Sequence, residues 1–220
     1  MRISAEGSLR LWQLISPNLP VGAYSYSNGL EQVIEAGDVR CEADVAEWLD
    51  DVLTTGLART DLAVLIRVQN AAARGDLADA MRWCRKLLAM RETSELRFAD
   101  RSMGGALAKL LEDLGVRMPE GAWPFAGAFG FAAAHWGVPS AEAAAGYAWS
   151  WCESHVAAAI KLVPLGHTAG QRLMLGRSAS VLAAVASASQ VTDGAIGFGM
   201  PGLAIASARH ETQYTRLFRS

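Results

Sequence analysis

The sequence predicts an all-α fold, a single-domain helical bundle of about eight to ten helices, on three observations. Apolar residues recur with a helical period, most clearly at Val45, Trp48, Leu49, Val52, Leu53 and Leu57, the i, i+3, i+4, i+7, i+8 stripe of one buried face. Alanine, the strongest helix former, is abundant, above all in the second half. No β-branched run alternates with period two between turns, so nothing in the chain demands a strand. With 220 residues and 51% hydrophobic content the chain can bury a full core without a disulfide or metal staple.

The elements follow in order. Residues 1–8 read as an N-terminal extension. Pro17 and Pro20 fix φ and Gly22 frees it, so residues 16–22 form a rigid turn that ends at a helix start, with Tyr24, Tyr26 and Glu31 on the short, apolar-poor helix beyond it. Residues 45–57 form the clearest helix. Thr60 and Asp76 stand where N-caps belong, opening helices near 61–73 and 77–91, and Gly75 breaks the chain between them. Leu96, Met103, Leu107, Leu110 and Leu114 continue the period until Gly115, and Pro119 with Gly121 marks a loop. Residues 125–136, 141–163 and 168–188 read as Ala-rich helices. Gly194, Gly197, Gly199, Pro201 and Gly202 then interrupt any helix, so residues 194–220 are expected to be a glycine-rich hinge followed by a flexible tail. Ordering such a tail costs backbone entropy, so it stays mobile unless a partner buries Tyr214, Leu217 and Phe218 or it folds back onto its own dimer.

Charge is distributed unevenly. Residues 1–119 carry 31 charged side chains, whereas 120–208 carry only Glu120, Glu142, Glu153, Lys161, Arg172, Arg177 and Asp193. So few charges over so long a stretch leave two readings open, a face covered by another chain or a central helical hairpin wrapped by the first half. The net charge of −2 gives no general attraction to nucleic acid or anionic lipid. The least polar stretch, 123–138, is too short to span a bilayer, and the N-terminus has no apolar signal segment. Cys41, Cys84 and Cys152 are odd in number and widely spaced, which points to a reducing compartment, by default the cytoplasm.

Catalytic and cofactor motifs fail on context. Gly197-Phe198-Gly199-Met200-Pro201-Gly202 satisfies G-x-G-x-x-G but lacks the strand and βαβ unit that the motif needs, and no P-loop is present. Cys152 and His155, at i and i+3, supply only two metal ligands, and His210-Glu211 has Tyr214 where a zinc protease has its second histidine. No catalytic residue, metal site or cofactor is therefore assigned. Glu92, Glu95, Arg97, Asp100 and Arg101 form a mixed-sign cluster in which Asp100 partly offsets the like-charged Arg97 and Arg101, either a solvated face or a patch for a partner. Lys161 either neutralises a helix C-terminus or presents its charge.

Three separated segments carry a family likeness: Ser16-Pro17-Asn18-Leu19-Pro20-Val21-Gly22-Ala23-Tyr24-Ser25-Tyr26-Ser27-Asn28-Gly29-Leu30-Glu31, then Lys161-Leu162-Val163-Pro164-Leu165-Gly166, and the terminal Arg209-His210-Glu211-Thr212-Gln213-Tyr214-Thr215-Arg216-Leu217-Phe218-Arg219-Ser220. The chain resembles the urease accessory protein UreF family over nearly its whole length. That resemblance implies an all-helical, non-enzymatic maturation factor that dimerises, binds UreD (also called UreH), recruits the nickel-carrying GTPase UreG, and couples GTP state to nickel insertion into the urease apoprotein. Candidate partner-binding residues are Pro20, Gly22, Tyr24, Tyr26, Glu31 and Lys161 for the GTPase side, and Arg209, Tyr214, Arg216, Leu217 and Phe218 in the tail, where aromatic and arginine side chains concentrate. On the residues alone, two other readings stay open: a helical dimeric interaction module unrelated to urease, and a helical enzyme using Glu31, His155 or His210 as acid or base.

Overall fold

The computed structural model describes residues 3–197 and 199–220, all in one helical bundle with no strand among the described residues. Met1 and Arg2 of the expected extension, and Phe198 of the glycine motif, lie outside the described residues. The helices are α1 (Ala5–Leu14), α2 (Leu30–Glu35), α3 (Glu42–Asp51), α4 (Asp61–Ala73), α5 (Leu77–Ala89), α6 (Ser94–Asp113), α7 (Phe125–His135), α8 (Ser140–Leu162), α9 (His167–Gly176), α10 (Ser178–Gln190) and α11 (Pro201–His210). α1 already begins inside the expected extension: Ser4 caps it by accepting from the Gly7 N–H at 3.0 Å, and Gly7 is buried.

The apolar α7 is the centre of the molecule. Residues 125–133 are all buried, and α4, α6 and α8 pack around them. α4 comes close enough that a Cβ at Gly130 would stand 2.7 Å from the Leu65 carbonyl oxygen, which is why this face tolerates only a glycine. Much of the charge-poor second half is therefore core, in keeping with the central-hairpin reading. Helices α9 and α10 are different, because Leu175 and Leu182 on their outer side stay exposed.

Three local departures from the sequence reading have identifiable causes. The helix expected over 45–57 is α-helical only to Asp51 and then widens into a π turn, Val52–Gly56, followed by a 3₁₀ turn, Leu57–Arg59, so that Val52, Leu53, Gly56, Leu57 and Ala58 all face inward. The helix expected over 168–188 breaks between α9 and α10 at Arg177, whose guanidinium turns inward to donate to the Ala46 carbonyl at 2.6 Å and pair with Asp50 at 3.2 Å. The glycine-rich stretch is not a free hinge. Asp193, at its edge, is held by Arg67 at 2.7 Å and its carbonyl by Lys86 at 2.9 Å; within it Ile196 is buried, the Gly197 N–H donates to the Arg59 carbonyl at 3.3 Å, and Pro201 opens α11 at a position where its missing N–H costs nothing.

Candidate partner-docking surface

The floor of the candidate site is an ion network that unites four elements. Asp61, first residue of α4, and Asp100 of α6 share the Arg91 guanidinium, at 2.6 and 2.9 Å. Tyr147 of α8 donates to Asp61 at 3.0 Å, and Asp100 accepts from the Phe125 N–H at 2.7 Å, holding the first turn of α7. Burial pushes the Asp61 carboxyl up, but Arg91, with hydrogen bonds from Thr60 and Tyr147, outweighs it and holds the group below the usual carboxylate range. Burial, joined by the neighbouring Asp61 charge, keeps Asp100 above that range despite Arg91.

Above this floor lies a groove with a cavity of about 300 Å³. Leu14, Pro17 and Tyr24 form one wall, Ser150, Glu153 and Lys161 of α8 a second, and Met200 with Leu203 a third. Gly22 adopts a left-handed φ of 73°, as the turn requires, but the chain continues into a 3₁₀ turn, Ala23–Ser25, rather than a helix. Tyr24 is 71% exposed on that turn, whereas Tyr26 is buried. Contrary to the sequence reading, then, neither tyrosine shares a helix with Glu31, which sits in the first turn of α2 and is itself buried. Pro20 is exposed, and Lys161 is exposed in the last turn of α8, its ammonium 5.8 Å from the Phe218 ring.

His155 seals the inner side of the groove. Its ring stacks on Trp151 at 3.9 Å, its Nδ1 donates to the Trp151 carbonyl at 2.7 Å, and its Nε2 meets the Asn28 amide at 3.4 Å. Both ring nitrogens are thus engaged, and burial pushes the Cys152 thiol up to about 12, so the i, i+3 pair offers no ready chelate. Burial also drives His155 down to about 4. The folded chain then refuses a proton that the unfolded chain accepts below about pH 6.5, so stability falls as pH falls through this window, by up to about 3 kcal/mol. Urea unfolding of the protein and of His155→Phe at pH 7 and 4.5 should show a flatter acid dependence for the variant.

The tail overturns the expectation of a mobile segment. His210, at the end of α11, is fully buried between two carboxylates, with Nδ1 2.7 Å from Glu95 and Nε2 3.0 Å from Glu31. Glu31 also accepts from the N–H groups of Leu217 and Phe218 at 2.6 and 2.9 Å, while Glu95 binds Arg216 at 2.6 Å. The Ser220 backbone oxygen accepts from the Ser27 N–H and hydroxyl and the Asn28 N–H, at 2.6, 2.7 and 3.0 Å. Glu31 therefore organises the tail from inside and presents nothing outward. Phe218 is likewise buried, because the strap closes over it. Of the tail residues that the sequence singled out, Arg209, Tyr214, Arg216 and Leu217 face solvent, with Tyr214 fully exposed and Leu217 63% exposed.

Sequence reasoning passed over Asp61, Arg91, Tyr147 and the bridging role of His210. Apart from Arg91–Asp100, nine residues apart, the partners lie 30 to 179 residues away, and no local spacing reveals such pairs. The Thr60 cap position was legible, although its hydroxyl binds the Gly56 carbonyl and Asp61 instead of capping α4.

Residues 39–177 match the family model for UreF. The chain is 50% identical to the urease accessory protein UreF of Alkalilimnicola ehrlichii, with 96% of this chain and 95% of the relative covered, and 47% identical to that of Azoarcus sp. over the same shares. Against the urease accessory protein UreF 2 of Brucella anthropi it is 45% identical, covering all of this chain and 99% of the relative. Fold and comparisons together define an all-helical accessory protein. With the family model matching well over half of its length, the chain belongs to the UreF family. Among the described residues no helix is long and apolar enough to cross a membrane, and no group of three or more His, Cys, Asp or Glu side chains is placed to hold a metal ion.

Proposed function

We propose that this protein is a non-enzymatic, cytoplasmic scaffold in urease maturation that joins UreD/UreH to the nickel-carrying GTPase UreG on the urease apoprotein and couples GTP state to nickel insertion. What supports the reading, beyond family membership, is one observation: Arg209, Tyr214, Arg216 and Leu217 are exposed on a backbone that a buried latch holds still. Fixing the backbone in advance lowers the ordering cost of docking, and Tyr, Arg and large apolar side chains are the usual anchors. Tyr24 and Lys161, which both line the groove, are the residues assigned to the GTPase. A scaffold of this kind shifts the GTPase only by binding one nucleotide state better than the other.

The protein is proposed to act as a homodimer. With α7 inside the core, the charge-poor surface left for that contact is the outer side of α9 and α10, around Leu175 and Leu182. Co-purification with UreD and UreG tests the scheme. Tyr214→Ala with Leu217→Ala should weaken UreD retention at least tenfold with helix content unchanged, in line with the 1 to 3 kcal/mol typical of such anchors. Tyr24→Ala with Lys161→Ala should instead reduce UreG recruitment. Wild-type retention of both partners by both variants would place the docking surfaces elsewhere.

A further inference from the structure

We infer that the outer face of α6, around Phe98, Arg101 and Gly105, docks an acidic segment of a partner protein. The local sequence suggests that carboxylates offset Arg97 and Arg101, but the structure turns them away. Asp100 points inward to Arg91 and the Phe125 N–H, and Glu95 is committed to His210 and Arg216. Arg97 and Arg101 are left exposed one turn apart, and among the described residues neither has an ion pair. Two like charges at this spacing destabilise a helix unless something anionic joins them. Phe98, 56% exposed, stands beside them and lines the same shallow concavity along the helix. The nearest remaining acids lie at its end: Glu211 is bonded to Ser94 at 2.6 Å, and Glu92 reaches toward Gly199.

Gly105 is an independent sign that another backbone comes close. Its neighbour Gly104 is explained within the chain, since a Cβ there would overlap the Trp123 carbonyl oxygen. Gly105 is exposed in mid-helix, and a Cβ there would meet nothing within 4 Å. A glycine at such a position weakens the helix relative to alanine without any internal reason. Its place is one turn beyond Arg101 on the side of the helix that carries Phe98 and Arg101, the i, i+3, i+7 spacing of one face. Its effect is a flat step onto which a partner backbone can settle, with guanidinium groups placed to take carboxylates in paired hydrogen bonds and Phe98 as the apolar anchor. Two guanidinium groups are few for a polyphosphate backbone, whose binding rests on many charge contacts, so an acidic protein segment fits better than nucleic acid.

The experiment uses the full chain and a fluorescein-labelled amphipathic helical peptide of Glu, Ala and Leu, with a Gln-for-Glu peptide as control. The acidic peptide should bind about tenfold more tightly than the control at low salt. Arg97→Glu with Arg101→Glu, and separately Phe98→Ala, should each lose most of that affinity, while Arg97→Lys with Arg101→Lys keeps the greater part. Gly105→Ala should raise the melting temperature. Gly105→Gln should also keep or raise it yet weaken peptide binding, a split that a purely structural glycine would not produce. If the charge reversal fails to fold, the Phe98 and Gly105 variants decide. Equal binding of both peptides, wild-type affinity in the folded charge-reversal, Phe98→Ala or Gly105→Gln variants, or displacement of the peptide by a single-stranded oligonucleotide at lower concentration, overturns the inference.

Discussion

Replacing Arg91 by methionine should cost about 3 to 5 kcal/mol of stability, the range seen when one partner of a buried ion pair is removed and the other is left uncompensated. Here two carboxylates lose at once the one cation that pairs with them among the described residues. Asp61 keeps the Tyr147 hydroxyl and Asp100 the Phe125 N–H, but neither partner carries a charge. The pH dependence identifies the cause. In the wild type the two groups act in opposite directions. Asp61, held low, contributes stability that is lost as pH falls through its folded value, whereas Asp100, held high, contributes stability that is lost as pH rises through its own. Without Arg91, burial and mutual repulsion raise both carboxyls above their unfolded values near 4, so the variant should gain stability relative to wild type as pH falls from 7 toward 4. Denaturant unfolding at several pH values measures this. A penalty that is flat with pH would mean that Arg91 acts through packing alone.

Replacing Glu31 by alanine should be nearly as damaging, by roughly 3 kcal/mol, and its effect should be local first. The substitution strips acceptors from the Leu217 and Phe218 N–H groups and from His210, all at buried or partly buried positions, and each unsatisfied buried donor costs about 1 to 3 kcal/mol. The strap should open before the bundle does. Amide exchange of residues 217–220 should accelerate in Glu31→Ala by more than that of α4 or α7, while Glu31→Gln, which keeps one carbonyl acceptor, should fall between. For the same reason, removal of residues 209–220 is expected to destabilise α2 and α11, because it exposes the site of Phe218 and empties the acceptor set of Ser27 and Asn28. Equal exchange of the strap in wild type and Glu31→Ala would assign the latch to the Ser220 contacts instead.

The all-helical class and the places of α4, α5, α6 and α8 to within a few residues were legible in the chain, because helical period, N-cap residues and glycine stops act within a turn or two of themselves. The Asp76 cap illustrates this: its carboxylate accepts from the Asp79 N–H at 3.0 Å, three residues on. Family likeness was legible too, since it resides in three unbroken segments. What only the tertiary structure decided is which side chains of those segments face outward. Tyr24 and Tyr26 stand two residues apart, yet one is 71% exposed and the other 5%, and Glu31, a charged residue on a short helix, is internal because the backbone of residues 217–218 comes back to it across the length of the chain. The flexible tail inferred from its glycines is pinned for a similar reason: Glu31 of α2 and Glu95 of α6 hold His210, Arg216 and the backbone of residues 217–218, and Ser27 and Asn28 hold the Ser220 carbonyl, all from far away in the chain. Long-range pairing of buried charges leaves no periodic trace along a chain, so Asp100 looked like one member of a mixed-sign surface cluster, and only the fold shows it turned inward to an Arg91 that Asp61 shares.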